Sequence, residues 1–162
     1  MEYTKEGIRV GPSAHGLGVF ALRSFTIGDY VGPIHGQIVA DPEYGSEYGI
    51  DLGDGDRTLE PAAPFRFLNH SCQPNSALVI DEDNEGGTFC NPSVWLEILS
   101  EIAPGEPMTI DYAWPAEAAI PCQCGTASCR GWIVAEGERD EVVSAGQGSL
   151  VPTVLGSPHR TR

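Results

Sequence analysis

Apolar residues occur along this chain in short alternating runs, not in helical stripes. Val19-Phe20-Ala21-Leu22, Ala77-Leu78-Val79-Ile80 and Val94-Trp95-Leu96-Glu97-Ile98-Leu99 each have the length and the β-branched or aromatic content of a strand. Ile8-Arg9-Val10, Ile27 to Val31 and Tyr48 to Leu52 read as further short strands. Met108-Thr109-Ile110-Asp111-Tyr112 reads as a strand that ends in an acid and a phenol. Turn-forming stretches separate them: a glycine-bearing loop from Gly11 to Gly18, an acidic Gly-rich segment over 41–57, and Pro61 with Pro64. An exposed hairpin loop is expected from Asp81 to Gly87, and a turn from Ile102 to Glu106. No window of ordinary helix length carries a 3.6-residue period, and no internal repeat is visible. The pattern predicts a mostly β protein of many short strands. After Trp132-Ile133-Val134 periodicity is lost, so residues 135–162 are expected to be a loosely ordered tail.

A chain of 162 residues can bury the core of one domain, and its 20 Gly and 13 Pro agree with frequent turns. The net charge of −14 changes the picture more. It disfavours direct contact with nucleic acid, whose phosphates would be repelled, and suits a basic protein or peptide. Solubility alone accounts for such a charge equally well. No apolar run approaches the length of a membrane span, and Met1 to Lys5 lack a signal-peptide core, so an intracellular location and no membrane partner are expected.

Polar chemistry concentrates in Arg66-Phe67-Leu68-Asn69-His70-Ser71-Cys72-Gln73-Pro74-Asn75, where an apolar pair leads into an amide, an imidazole and a thiol. Five cysteines stand at 72, 90, 122, 124 and 129, an odd count that argues against a disulfide framework. Cys122-x-Cys124-x4-Cys129 has a spacing that suits tetrahedral zinc, with Gly125 permitting a tight turn. Zinc takes four ligands, so either Cys72 or Cys90 would have to close the shell; three thiols gathered in a loop without metal is the plainer alternative. Gly16-Leu17-Gly18 lacks the third glycine and the following helix of a dinucleotide fingerprint.

Taken in order, Gly16-Leu17-Gly18, Arg66 to Asn75, Gly105-Glu106-x-Met108-Thr109-Ile110-Asp111-Tyr112 and Cys122-x-Cys124-Gly125-x3-Cys129-Arg130-Gly131-Trp132 resemble a SET domain followed by its post-SET zinc segment. The resemblance implies a SET fold of small sheets with a knot-like crossing at the Asn-His-Ser-Cys stretch. It implies domain bounds of 8–115 for the SET domain and 116–134 for the zinc segment. It implies an S-adenosylmethionine-dependent protein-lysine methyltransferase acting on a basic protein, histone or other. Gly16, Leu17, Gly18, Tyr48, Arg66, Asn69 and His70 would contact the cofactor, and Trp132 would cover its adenine. Cys72, Cys122, Cys124 and Cys129 would form a structural zinc shell, leaving Cys90 as a small core residue, and Tyr112 would be the active-site tyrosine.

Three departures from the family pattern stand out. Pro33-Ile34-His35-Gly36-Gln37 places Ile34 where a channel tyrosine is usual, and Ile110 stands for the aromatic two positions before the catalytic tyrosine. Ala62 and Ala63 occupy the region of a usual Gly-Asn pair. The two aliphatic changes motivate a rival expectation: a zinc-stabilised binding module that keeps the fold with little turnover.

Overall fold

The computed structural model describes residues 4–5, 7–81 and 92–146. In chain order, β1 (Thr4–Lys5), β2 (Ile8–Ser13), β3 (Gly16–Ala21), β4 (Tyr30–Pro33), β5 (Gly36–Ala40), β6 (Ile50–Asp51) and β7 (Arg57–Pro61) precede a 3-10 turn at Phe65–Phe67. There follow β8 (Asn69–His70), β9 (Ser76–Asp81), β10 (Ser93–Ile98), β11 (Pro107–Ile110), β12 (Ile120–Pro121), β13 (Trp132–Ile133) and the helix α1 (Arg139–Gly146). The strands form four small sheets, ordered β1-β2-β3-β11-β8, β4-β10-β9, β5-β7-β6 and β12-β13.

Alternation explains how these sheets share one core. In β10, Val94, Leu96 and Ile98 are 1%, 0% and 0% exposed, while Trp95 and Glu97 face the other way. Their apolar face meets Ile8 and Val19 of the first sheet, Leu59 of the third, and Leu52, Phe65 and Leu68 beside it. Burial of this apolar surface is what drives such short strands together.

One pairing places the functional stretch. β8 runs parallel to β11, with Asn69 opposite Thr109 and His70 opposite Ile110, and β11 also pairs antiparallel with β3. Just beyond β8, Asn75 is stitched to the same strand. Its Nδ2 donates to the Pro107 carbonyl at 2.8 Å, and its Oδ1 accepts from the Thr109 N–H at 2.8 Å. The Asn75 carbonyl in turn accepts from Leu99 N–H at 2.8 Å. These bonds tie the stretch after β8 to β11 and to the end of β10.

Several local expectations are revised. Gly11 to Gly18 is not a loop: β2 and β3 pair through Gly11–Gly18, Pro12–Leu17 and Ser13–Gly16, leaving only Ala14 and His15 at the tip. The strand expected at Tyr48 to Leu52 shrinks to Ile50–Asp51, where pairing with β7 supplies the hydrogen bonds. β5 and β7 form a hairpin-like pair that polar Arg57-Thr58 and Glu60 conceal in the sequence. Residues after 134 are not loose from their start. Ala135 N–H donates to the Trp114 carbonyl at 2.7 Å, and the Glu138 carboxylate accepts from Ala116 N–H at 2.7 Å, just before α1. Cys90 and residues 82–87 of the expected hairpin loop lie outside the described residues. No described helix is long and apolar enough to cross a membrane.

Candidate active site

Tyr112 lies two residues past the end of β11, so the parallel β8 sets its surroundings. Its hydroxyl donates to the Leu68 carbonyl at 2.8 Å, and its backbone N–H donates to His70 Nδ1 at 3.2 Å. Its ring lies 5.4 Å from the rings of both His70 and Trp114. Burial raises the phenol above its ordinary pKa, and Tyr48 adds to the rise, so Tyr112 stays protonated at neutral pH. Burial pushes the His70 imidazole below its ordinary value in spite of the Asp111 carboxylate nearby. His70 is therefore neutral, and the 3.5 Å approach of Asp111 to Nδ1 is not a charged pair.

Asn69 faces the β2–β3 hairpin. Its Nδ2 donates to the Leu17 carbonyl at 3.0 Å and to Ser13 Oγ at 3.1 Å. A Cβ on residue 18 would sit 2.9 Å from that same nitrogen, so glycine at this position makes room for Asn69. Arg66 lies with its guanidinium 4.5 Å over the Tyr48 ring and 3.9 Å from Glu60, whose other oxygen accepts from Tyr44.

Two cavities flank Tyr112. The smaller, about 510 Å³, is lined by Gly16, Leu17, Tyr48, Arg66, Asn69, His70 and Tyr112, with Pro121 to Cys124 and Ile133 of the C-terminal segment closing it. The larger, about 820 Å³, runs past Asp41, Tyr44, Asp51, Asp56, Leu78, Ile80 and Ile110. Glu47, Tyr48, Arg66, Leu68, Tyr112 and Trp114 line both. The wall between the cavities is thus built around Tyr112.

The expected cofactor contacts converge on the smaller cavity with two exceptions. Gly18 does not line it but leaves room for Asn69, which does; Trp132 does not line it either, whereas Ile133, on the opposite face of the same strand, does. Ile110 lines the larger cavity as expected. Ile34 lines neither cavity and is 5% exposed in the core, its N–H bonded to the Val94 carbonyl. Trp114 is the residue that sequence reading missed. It follows Ala113, whose φ of 47° turns the chain after Tyr112, and its spacing from Tyr112 was the available signal.

Cys72, Cys122, Cys124 and Cys129 come together, all four sulfurs lying within 4.8 Å of one another. Sulfurs of a tetrahedral zinc shell stand roughly 3.8 Å apart, given a Zn–S bond near 2.3 Å. The donor set therefore fits zinc, with Cys72 brought in as the fourth sulfur beside the C-terminal three. Glycines at positive φ, Gly125 and Gly131, turn the chain around the cluster. The backbone N–H groups of Cys124 and Gly131 point at the Cys122 and Cys129 sulfurs, each at 3.4 Å. Desolvation pushes the Cys122 thiol up to about 12; at Cys124 desolvation is outweighed by hydrogen bonds from Thr126 and neighbouring backbone, which leave it at about 6. Arg130, between two cluster turns, grips both oxygens of Asp111 at 2.7 and 2.6 Å. Partial burial alone would raise the Asp111 carboxyl, but this fork holds it below the ordinary carboxylate range.

A strand-built crossing that carries Asn-His-Ser-Cys past a terminal tyrosine, with a four-cysteine cluster closing one side, defines a SET-type domain. The family model of the SET domain matches residues 16–113, and this chain belongs to that family. The chain is 33% identical over 147 residues to the H3 lysine-4-specific histone-lysine N-methyltransferase of Schizosaccharomyces pombe, covering 80% of this chain and 15% of that protein. It is 31% identical over 149 residues to human histone-lysine N-methyltransferase 2B, covering 80% and 5%. The chain thus spans a small part of these relatives. Among solved structures, KRYPTONITE in complex with mCHH DNA, an H3(1-15) peptide and SAH superposes with a TM-score of 0.69 at 21% identity, covering 80% of this chain and 30% of that one.

Proposed function

We propose that this chain transfers a methyl group from S-adenosylmethionine to a lysine side chain of a basic protein, with a histone tail as the first substrate to try. The observation that carries this reading is the pair of cavities that share a wall at Tyr112. The smaller would hold the cofactor, on Gly16, Leu17, Tyr48, Arg66, Asn69 and His70; the larger would admit the lysine. Bound S-adenosylmethionine supplies a sulfonium methyl group open to in-line displacement by a neutral amine.

The chain's own residues prepare that encounter. Leu68, Tyr112 and Trp114 line both cavities, and an amine brought among them would be partly desolvated, which favours its neutral form over the ammonium. The Tyr112 proton is committed to the Leu68 carbonyl, so the phenol oxygen has lone pairs free to accept weak C–H···O contacts. Alignment across the shared wall accounts for much of the rate. The four cysteines would hold one zinc ion with no open position, a structural role that fixes Pro121 to Cys124 as the outer wall of the cofactor cavity. Carboxylates at Asp41, Glu47, Asp51 and Asp56 along the larger cavity suit a cationic peptide.

The test is labelled methyl transfer to histones and to a basic-protein extract, with wild type and Tyr112→Phe compared. Lys5 is the single lysine of the chain, so self-labelling maps to one position. Transfer that drops at least about 10-fold in the variant, with cofactor affinity retained, is the expected outcome. Cofactor binding with no transfer to either pool would instead favour the binding-module reading. That reading has less to rest on than in the sequence, because Ile34 lies away from both cavities.

A further inference from the structure

Two tethers join the cysteine cluster to the strand end that carries Tyr112. His70, 8% exposed, is wedged between Cys72 and Tyr112: Nε2 lies 3.3 Å from Cys72 Sγ, and Nδ1 accepts the Tyr112 N–H. A neutral imidazole has one donor and one acceptor nitrogen. With Nδ1 accepting, Nε2 carries the hydrogen and donates it to the sulfur. The second tether is the fork from Arg130, next to Cys129, to Asp111, next to Tyr112. Arg130 Nε is buried and has no hydrogen-bond partner among the described residues, and Asp111 anchors the other two nitrogens of this largely buried cation.

We propose that His70 and the Asp111–Arg130 pair are positioning residues that couple metal loading of the cysteine cluster to the form of the cofactor cavity at Tyr112. The proposal rests on the reading that the smaller cavity takes S-adenosylmethionine and its product. Outer-shell donors to metal ligands commonly change metal affinity 10–100-fold. Coupling between two sites is mutual, so an occupied cavity must retain the metal as firmly as the metal shapes the cavity.

The experiment is zinc release to excess chromogenic chelator from protein loaded with one zinc per chain, with and without S-adenosylhomocysteine. In the wild type the nucleoside is expected to slow release by about 5-fold or more, the lower end of ordinary coupling. His70→Phe keeps a ring of similar size and removes both nitrogens; it should release zinc about 10-fold faster and lose the protection. Asp111→Asn, with all four cysteines intact, should also lose most of the protection, and His70→Gln should recover part of it. Thermal melting checks that each variant is folded and calorimetry that it is saturated with the nucleoside, since His70 itself lines the cavity; a His70→Phe that misfolds or fails to bind leaves Asp111→Asn to decide. Wild-type release rates and undiminished protection in the folded variants would overturn the proposal. Should calorimetry show no nucleoside binding to the wild type, the reading of the smaller cavity fails. Cofactor-free release rates then decide the tether alone: faster release in His70→Phe supports it, and unchanged release refutes it.

Discussion

At the scale of the residue, Tyr112 is constrained by where its proton can go. Burial and the nearby Tyr48 raise its folded pKa above the unfolded value near 10. The neutral phenol therefore contributes stability that is complete below about pH 10 and is lost as pH rises through the folded value. Tyr112 cannot serve as a base near neutrality, and the proton lost in the reaction must leave the substrate amine by another route. Methyl-transfer rate should climb with pH between about 7 and 9, as more of the substrate lysine is neutral, with no falling limb from Tyr112 below about pH 10. Ultraviolet titration of wild type against Tyr112→Phe checks the assignment: the phenolate missing in the variant should be among the last to form. Its loss from the early part of the curve would contradict the buried, hydrogen-bonded phenol.

At the scale of the element, the parallel pairing of β8 with β11 is only two residues long and depends on side-chain stitching. Asn75 spans the gap with one donor and one acceptor to β11. Asn75→Ala leaves Thr109 N–H and the Pro107 carbonyl without these partners, and is expected to cost about 2 kcal/mol of stability. Thermal melting should show a drop of several degrees, and Asn75→Asp, which keeps the acceptor for Thr109 but sets a second acceptor against the Pro107 carbonyl, should lose at least as much. This also shows where sequence reading works. Asn75 beside Pro74 reads as an ordinary turn, because nothing local reveals its distant partners. Cys72, the cysteine trio, Asn69, His70 and Tyr112 were legible because few residue types perform their chemistry and their spacing is unusual. β5 and β7 were not, since Arg57-Thr58-Leu59-Glu60 is stabilised by pairing with remote residues and not by its own pattern. The same holds at Gly11 to Gly18, where glycine and proline suggest a loop and the ladder overrides them. Ile34 was misplaced for a related reason: an ungapped match assigns a position, whereas the fold decides which face it takes.

At the scale of the whole molecule, the charge of −14 could act in two ways. A uniform negative surface would attract any basic protein weakly; carboxylates gathered in a cleft would focus the field where the lysine must enter. The larger cavity favours the second, since Asp41, Glu47, Asp51 and Asp56 line it against Arg57 and Arg66; Arg57 is already paired with Asp54, and the further lining carboxylate Asp111 is neutralised by Arg130. Screening acts on encounter more than on chemistry within the passage. Raising salt from about 20 to about 200 mM shortens the Debye length roughly threefold, so kcat/KM for a basic peptide should fall several-fold while kcat changes little. The two explanations separate by mutation. Asp51→Asn with Asp56→Asn should flatten the salt dependence, whereas Glu101→Gln with Glu141→Gln, two exposed carboxylates lining neither cavity, should leave it nearly unchanged. Equal flattening by both variants would mean that net charge alone recruits the substrate, and that the carboxylates of the cleft have no privileged part in it.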